Sequence, residues 1–195
     1  TLILDPMINY DLEVHTIPPK RKENVTLTVG KHNMIGIDAP QGMLQLICEG
    51  FTQSTNLRFI VGENNNHQTV NVQEINETVR YITGKYELEV LTLPRIILTD
   101  IEIEQSHTTK INIPKPGILN IMIPATGYGA IFTKENDGKL KRIYNLPKDK
   151  RKESLVLQPG SYEITYRPKN MKRTMYTTRK SFTIKSGSST TITLQ

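Results

Sequence analysis

Tryptophan is absent and phenylalanine occurs four times, so a platform for stacking bases or sugars would have to rest on the eight tyrosines. Cysteine occurs once, and a single thiol makes neither an internal disulfide nor the usual zinc cluster. Cys48 closes the apolar run Leu44-Gln45-Leu46-Ile47-Cys48 with no accompanying histidine pattern, which reads as a small hydrophobe buried on a strand rather than a nucleophile. No stretch approaches the ~18 apolar residues of a membrane span. The opening Thr1-Leu2-Ile3-Leu4-Asp5 is not a signal peptide and lacks an initiator Met, which points to a fragment of something longer. HExxH and HxH spacings, GxSxG, a Walker loop and GxGxxG are all missing. Of the four histidines, His15, His32, His67 and His107, the second and fourth fall at nearby positions of equivalent segments, as turn residues rather than a converging pair. Glu87, Glu89, Glu102 and Glu104 alternate as a solvated sheet face does. These absences predict no catalytic residue, no metal and no cofactor.

What the chain does contain is a repeat, the feature to seek first. Tyr10-Asp-Leu-Glu-Val-His-Thr-Ile-Pro-Pro19 recurs as Tyr86-Glu-Leu-Glu-Val-Leu-Thr-Leu-Pro-Arg95 and, more loosely, as Tyr162-Glu-Ile-Thr-Tyr-Arg-Pro168. The three tyrosines are 76 residues apart. Downstream of each lies a gapless block of thirteen: Val25 to Ile37, Ile101 to Ile113 and Phe182 to Leu194, apolar at positions 1, 3, 11 and 13. A third block, Pro40-Gln-Gly42-Met-Leu44-Gln-Leu46, returns as Pro116-Gly117-Ile-Leu119-Asn-Ile121. Period-two alternation, as in Tyr86, Leu88 and Val90 against Glu87 and Glu89, predicts half-buried strands almost throughout. Gly30, Gly160 and Ser186-Gly187-Ser188 read as turns that break strand pairs into hairpins. The predicted fold is all-β: tandem antiparallel β-sandwich modules of a Greek-key, Ig-like or prealbumin-like kind.

The phase of the repeat places complete modules at 39–113 and 114–195, with residues 1–38 the closing strands of a preceding, truncated module. A half sandwich has unpaired edges and an uncovered apolar face. Residues 1–38 are therefore expected to pack against upstream chain, on the next module or between copies. Leu157-Gln-Pro-Gly-Ser-Tyr162 has the form of a tyrosine corner, whose hydroxyl bonds to upstream backbone. Recurrence of Tyr10, Tyr86 and Tyr162 at one phase favours this structural role over a ligand platform.

Residues 139–180 carry 13 basic and 3 acidic side chains, a balance of +10, against −4 for the rest. Candidate contacts to an anionic partner are Lys148, Lys150, Arg151, Lys152, Lys169, Lys172 and Arg173. Solvated loops are the plainer reading, and Lys20-Arg21-Lys22 and Arg167, beside Lys169, belong with them. Nucleic acid is not an expected partner, since no aromatics interleave with these charges.

The segments LDPMINYDLEVHTIPP, GKHNMIGIDAPQG, TGKYELEVLTLPRI, QSHTTKINIPKPG, GYGAIF, IYNL and LVLQPGSYEITYR resemble the C-terminal region of bacterial, Bacteroidetes-type, von Willebrand A domain-containing proteins over essentially the whole chain. The opening PGxLxI and closing LQPGxYEIxY are also similar to Cna-B and PEGA modules, which are prealbumin-like. The resemblance implies an exported protein, periplasmic, envelope-bound or secreted. Its metal site would lie upstream, since Asp-x-Ser-x-Ser is absent from this chain. The expected function is a non-catalytic spacer or adhesive region partnered by that upstream A domain. The alternative is a module that recognises an anionic glycan or envelope polymer.

Overall fold

A computed structural model describes residues 3–48, 57–64, 68–134, 138–171 and 177–194. The described residues form strands and turns without a helix. A first pair of strands is β1 (Tyr10–Val14) and β2 (Lys20–Val25). Seven follow: β3 (Gln41–Cys48), β4 (Arg58–Glu63), β5 (Thr69–Glu74), β6 (Thr78–Ile82), β7 (Gly84–Val90), β8 (Ile96–Ile103) and β9 (Thr108–Ile113). A further seven are β10 (Gly117–Met122), β11 (Gly127–Lys134), β12 (Leu140–Asn145), β13 (Lys152–Leu157), β14 (Gly160–Pro168), β15 (Thr178–Ile184) and β16 (Ser189–Thr193).

The two sets of seven have one topology. The first forms sheets β6-β3-β9 and β5-β4-β7-β8, and the second forms β13-β10-β16 and β12-β11-β14-β15. Adding seven to each label of the first set yields the second. The chain is thus an all-β protein of tandem sandwich modules, as the repeat predicts. Alternation explains the sandwich: β7 and β14 both bury every second residue from their tyrosine onward. In the second set Leu119, Ile121 and Ile192 from the three-stranded sheet share one core with Ile131, Ile164 and Ile184 from the four-stranded sheet. Each such side chain contributes about 1.5–3 kcal/mol on full burial. In the first set Tyr81 of β6 lies 5.7 Å from Tyr86 of β7, centroid to centroid. Its hydroxyl donates to Gln73 of β5 at 2.9 Å, so apolar and polar contacts both join the sheets.

By contacts the chain divides into two compact units, one of residues 1–47, 58–89 and 97–111, the other of 48–57, 90–96 and 112–195. Within the first, Ile82 N–H donates to Ile17 C=O at 2.8 Å, and Tyr86 O–H donates to Ile82 C=O at 2.8 Å. Within the second, Gln158 N–H donates to Leu93 C=O at 2.8 Å, and Tyr162 O–H donates to Gln158 C=O at 2.6 Å. Each residue of this second pair of bonds stands 76 positions after its counterpart. Leu93 also packs against the second core. The Tyr10 hydroxyl binds Asp5, donating to its C=O at 3.1 Å and accepting from its N–H at 2.8 Å.

The other repeated residues have local reasons of the same kind. Gly42 and Gly117 open equivalent strands where no side chain fits. A Cβ on Gly42 would lie 2.1 Å from Glu104 O, and one on Gly117 would lie 2.6 Å from Ile184 Cγ2. Position six of the thirteen-residue block is left-handed in all three copies: Gly30 at φ 67°, Ser106 at 59° and Gly187 at 66°.

One expectation is corrected. The thirteen-residue block is not a hairpin within one sheet: β8 edges the four-stranded sheet, whereas β9 joins β3 in the three-stranded one, and β15 and β16 divide likewise. The block turns a corner between layers. Its first copy carries strand only to Val25, with none from 26 to 37. The physical reason is pairing: residues 32–37 correspond to β9, which hydrogen-bonds to β3, and no described strand pairs with 32–37.

Candidate functional site

The outer face of the sheet β12-β11-β14-β15 brings together Arg142, Lys148 and Arg167. On β14, Tyr162, Ile164 and Tyr166 point into the core, so Glu163, Thr165 and Arg167 take the other face. Register places Tyr128 of β11 opposite Arg167, and Phe132 opposite Glu163 on one side and Arg142 of β12 on the other. Beyond β12 the chain is tied back to β11: Leu146 N–H donates to Gly129 C=O at 2.9 Å, and Gly127 N–H donates to Lys148 C=O at 3.1 Å. That return sets the Lys148 ammonium over the Tyr128 ring, 5.3 Å from its centroid, a cation–π contact. The result is an open groove of about 490 Å³ whose lining, among the described residues, includes Tyr128, Phe132, Arg142, Lys148, Thr165 and Arg167 and no acidic residue.

The other basic candidates are placed elsewhere. Lys150 pairs with Glu153 at 3.1 Å. Burial pushes the Glu153 carboxyl up, but hydrogen bonds from Tyr144 and Lys150 outweigh it and hold the group below its ordinary value. The Arg151 guanidinium donates to the Pro124 carbonyl. Lys152 opens β13 opposite Met122, in the other sheet. Lys169 lies in the turn after β14, its N–H donating to Thr126 C=O at 2.9 Å. Lys172 and Arg173 lie outside the described residues. The groove thus takes in Lys148 and Arg167 from the basic clusters, and adds Tyr128 and Arg142, which run-by-run reading passes over. The signal that could have found them is register: once Tyr162, Ile164 and Tyr166 are assigned inward, Arg167 must face out, beside whichever strand pairs with β14.

Tyr81, Tyr86, Tyr162 and Tyr166 are deeply buried, and burial pushes the hydroxyls of the first three up to about 12. Burial likewise raises the Cys48 thiol against the opposing charge of Lys115. His107 makes a 2.8 Å contact through Nδ1 with Gln105 C=O, and His67 is outside the described residues. Among the described residues no three His, Cys, Asp or Glu side chains converge as a metal site. Among those residues, too, no helix is long and apolar enough to cross a membrane.

No family model matches the chain. No curated protein matches it significantly either. Among solved structures it is similar to GBS52, the minor pilin of Streptococcus agalactiae, at 10% identity and a TM-score of 0.39, over 78% of this chain and 94% of that one. It is similar to a streptococcal ancillary pilin at 13% identity and a TM-score of 0.33, over 96% of this chain and 76% of that one. It is also similar to the Bacillus anthracis TIE protein at 15% identity and a TM-score of 0.35, over 80% of this chain; it spans only 34% of that protein. At these identities and TM-scores none of the likenesses carries an argument about function.

Proposed function

We propose that the chain is a non-catalytic region, exported to the envelope or beyond, that spaces and presents an upstream von Willebrand A domain and contributes protein–protein contacts. One observation carries the proposal: the positions that recur from one module to the next, the tyrosines every 76 residues among them, are occupied by folding tasks. Recurrent tyrosine hydroxyls bind backbone, recurrent glycines admit a crossing strand, and alternating apolar residues fill cores. Such a repeat supports serial modules, each carrying its own core. The resemblance of the repeated motifs to regions downstream of A domains supports the linkage and, with it, export. On this reading the modules are 39–113 and 114–195, and residues 1–38 close a preceding one.

Reading the complete coding sequence tests the linkage: Asp-x-Ser-x-Ser and an export signal ahead of Thr1 support it, and their absence removes it. Fractionation of cells tests export, with recovery of the protein in the cytoplasmic fraction alone as the opposing result. Calorimetry of residues 114–195 alone tests the boundary; a cooperative transition supports it, and a broad, uncooperative one contradicts it.

A further inference from the structure

We infer that the groove on the outer face of β12-β11-β14-β15 is a binding site for the carboxylates of an acidic polysaccharide, recognised through Arg142, Lys148 and Arg167. The inference goes beyond the spacing role and stands whether or not an A domain lies upstream.

Among the described residues, three basic side chains with no ion-pair partner share this groove and no acid lines it. Their neighbours are otherwise engaged: Arg179 pairs with Glu163 at 3.0 Å, Lys150 with Glu153, and Arg151 with a carbonyl. Like charges held together repel, and a bound anion relieves that repulsion. The fold does not require the cluster. The first module has the same strand order, yet 76 residues before Thr165 and Arg167 it carries Glu89 and Leu91. The groove is therefore a property of the second module.

The ligand class follows from what surrounds the charges. Two guanidinium forks match the planar oxygens of carboxylates. Asn145 and Thr165 offer hydrogen bonds suited to sugar hydroxyls, and Phe132 offers an apolar surface to ring C–H groups. Lys148 already occupies a face of the Tyr128 ring, which disfavours stacking of a nucleobase there. An open groove lined from three strands admits a polymer that continues past both ends.

The test is affinity electrophoresis and calorimetry of the whole chain with polygalacturonate, using neutral dextran and oligothymidylate as comparators. Polygalacturonate should bind, weakening as salt rises, and dextran should not. The triple variant R142Q/K148Q/R167Q should lose about tenfold or more in affinity. K31Q/K110Q/K152Q, with the same change in net charge, should stay within about twofold. R142Q alone, at an exposed position, should lose about threefold and serves if the triple variant does not fold. The inference is overturned if polygalacturonate does not bind, if dextran binds as well, if oligothymidylate binds more tightly, or if the control loses as much as the groove variant.

Discussion

Gln158→Ile would give the second module the residue that the first carries at the same place. Gln158 is 5% exposed, and among the described residues both polar atoms of its side chain are buried without a hydrogen-bond partner. Its counterpart Ile82 is also 5% exposed. Both residues use their backbone identically: N–H to the carbonyl of Leu93 or Ile17, C=O to the hydroxyl of Tyr162 or Tyr86. The substitution leaves those bonds in place and removes only an amide that gave up water for nothing. A buried polar group left unpaired costs about 1–3 kcal/mol, so Q158I should stabilise by about that amount. In a chain of this size each kcal/mol corresponds to roughly 2–4 °C in Tm. Urea unfolding followed by circular dichroism should show a higher midpoint with an unchanged slope. The reverse change, Ile82→Gln, should lower the midpoint by a similar amount. A Q158I protein no more stable than its parent, or a harmless I82Q, would refute the reasoning by showing that the amide has a partner or that the position is not apolar.

Gly117→Ala should destabilise by about 1–3 kcal/mol, because its Cβ would meet Ile184 Cγ2 at 2.6 Å and the Lys185 and Ser188 carbonyl oxygens at 2.8 Å; thermal melting reads the loss, and an unchanged Tm contradicts the close approach. Tyr162→Phe should cost about 1–3 kcal/mol by leaving the Gln158 carbonyl without its hydroxyl donor, again read in urea. Raising the pH should unfold the protein through its buried tyrosines. Their folded pKa of about 12 lies above the unfolded value near 10, so their stabilisation is complete below pH ~10 and is lost as pH rises toward ~12. Absorbance and circular dichroism recorded together check this: ionisation of all eight tyrosines near pH 10 with no loss of structure would contradict it.

Fold class was legible because burial imposes period two and the repeat imposes it again at a fixed spacing. Tyr86, Leu88 and Val90 could be assigned inward before any partner strand was known. The partner itself could not. Alternation in Ile101 to Ile113 is the same whether the second strand returns along the first or crosses to the other layer; the choice depends on β3, far earlier in the chain. The groove was less legible for a related reason. Lys148, Lys150, Arg151 and Lys152 look like one cluster in sequence, but Lys150 turns to Glu153 and Lys152 enters the other sheet. Arg142, Lys148 and Arg167 meet only through the register of three strands.

The hairpin β1–β2 has one guarded side and one open side. Lys20, Arg21, Lys22 and Glu23 run exposed along β2, and such charge repels an approaching strand. β1 pairs only with β2 among the described residues, whereas its counterpart β7 lies between β4 and β8. Tyr10, Leu12 and Val14 are only half covered, in contrast to Tyr86, Leu88 and Val90. An extended segment that extends this ribbon therefore has a single direction of approach, along β1, and gains the most by presenting alternate apolar side chains there.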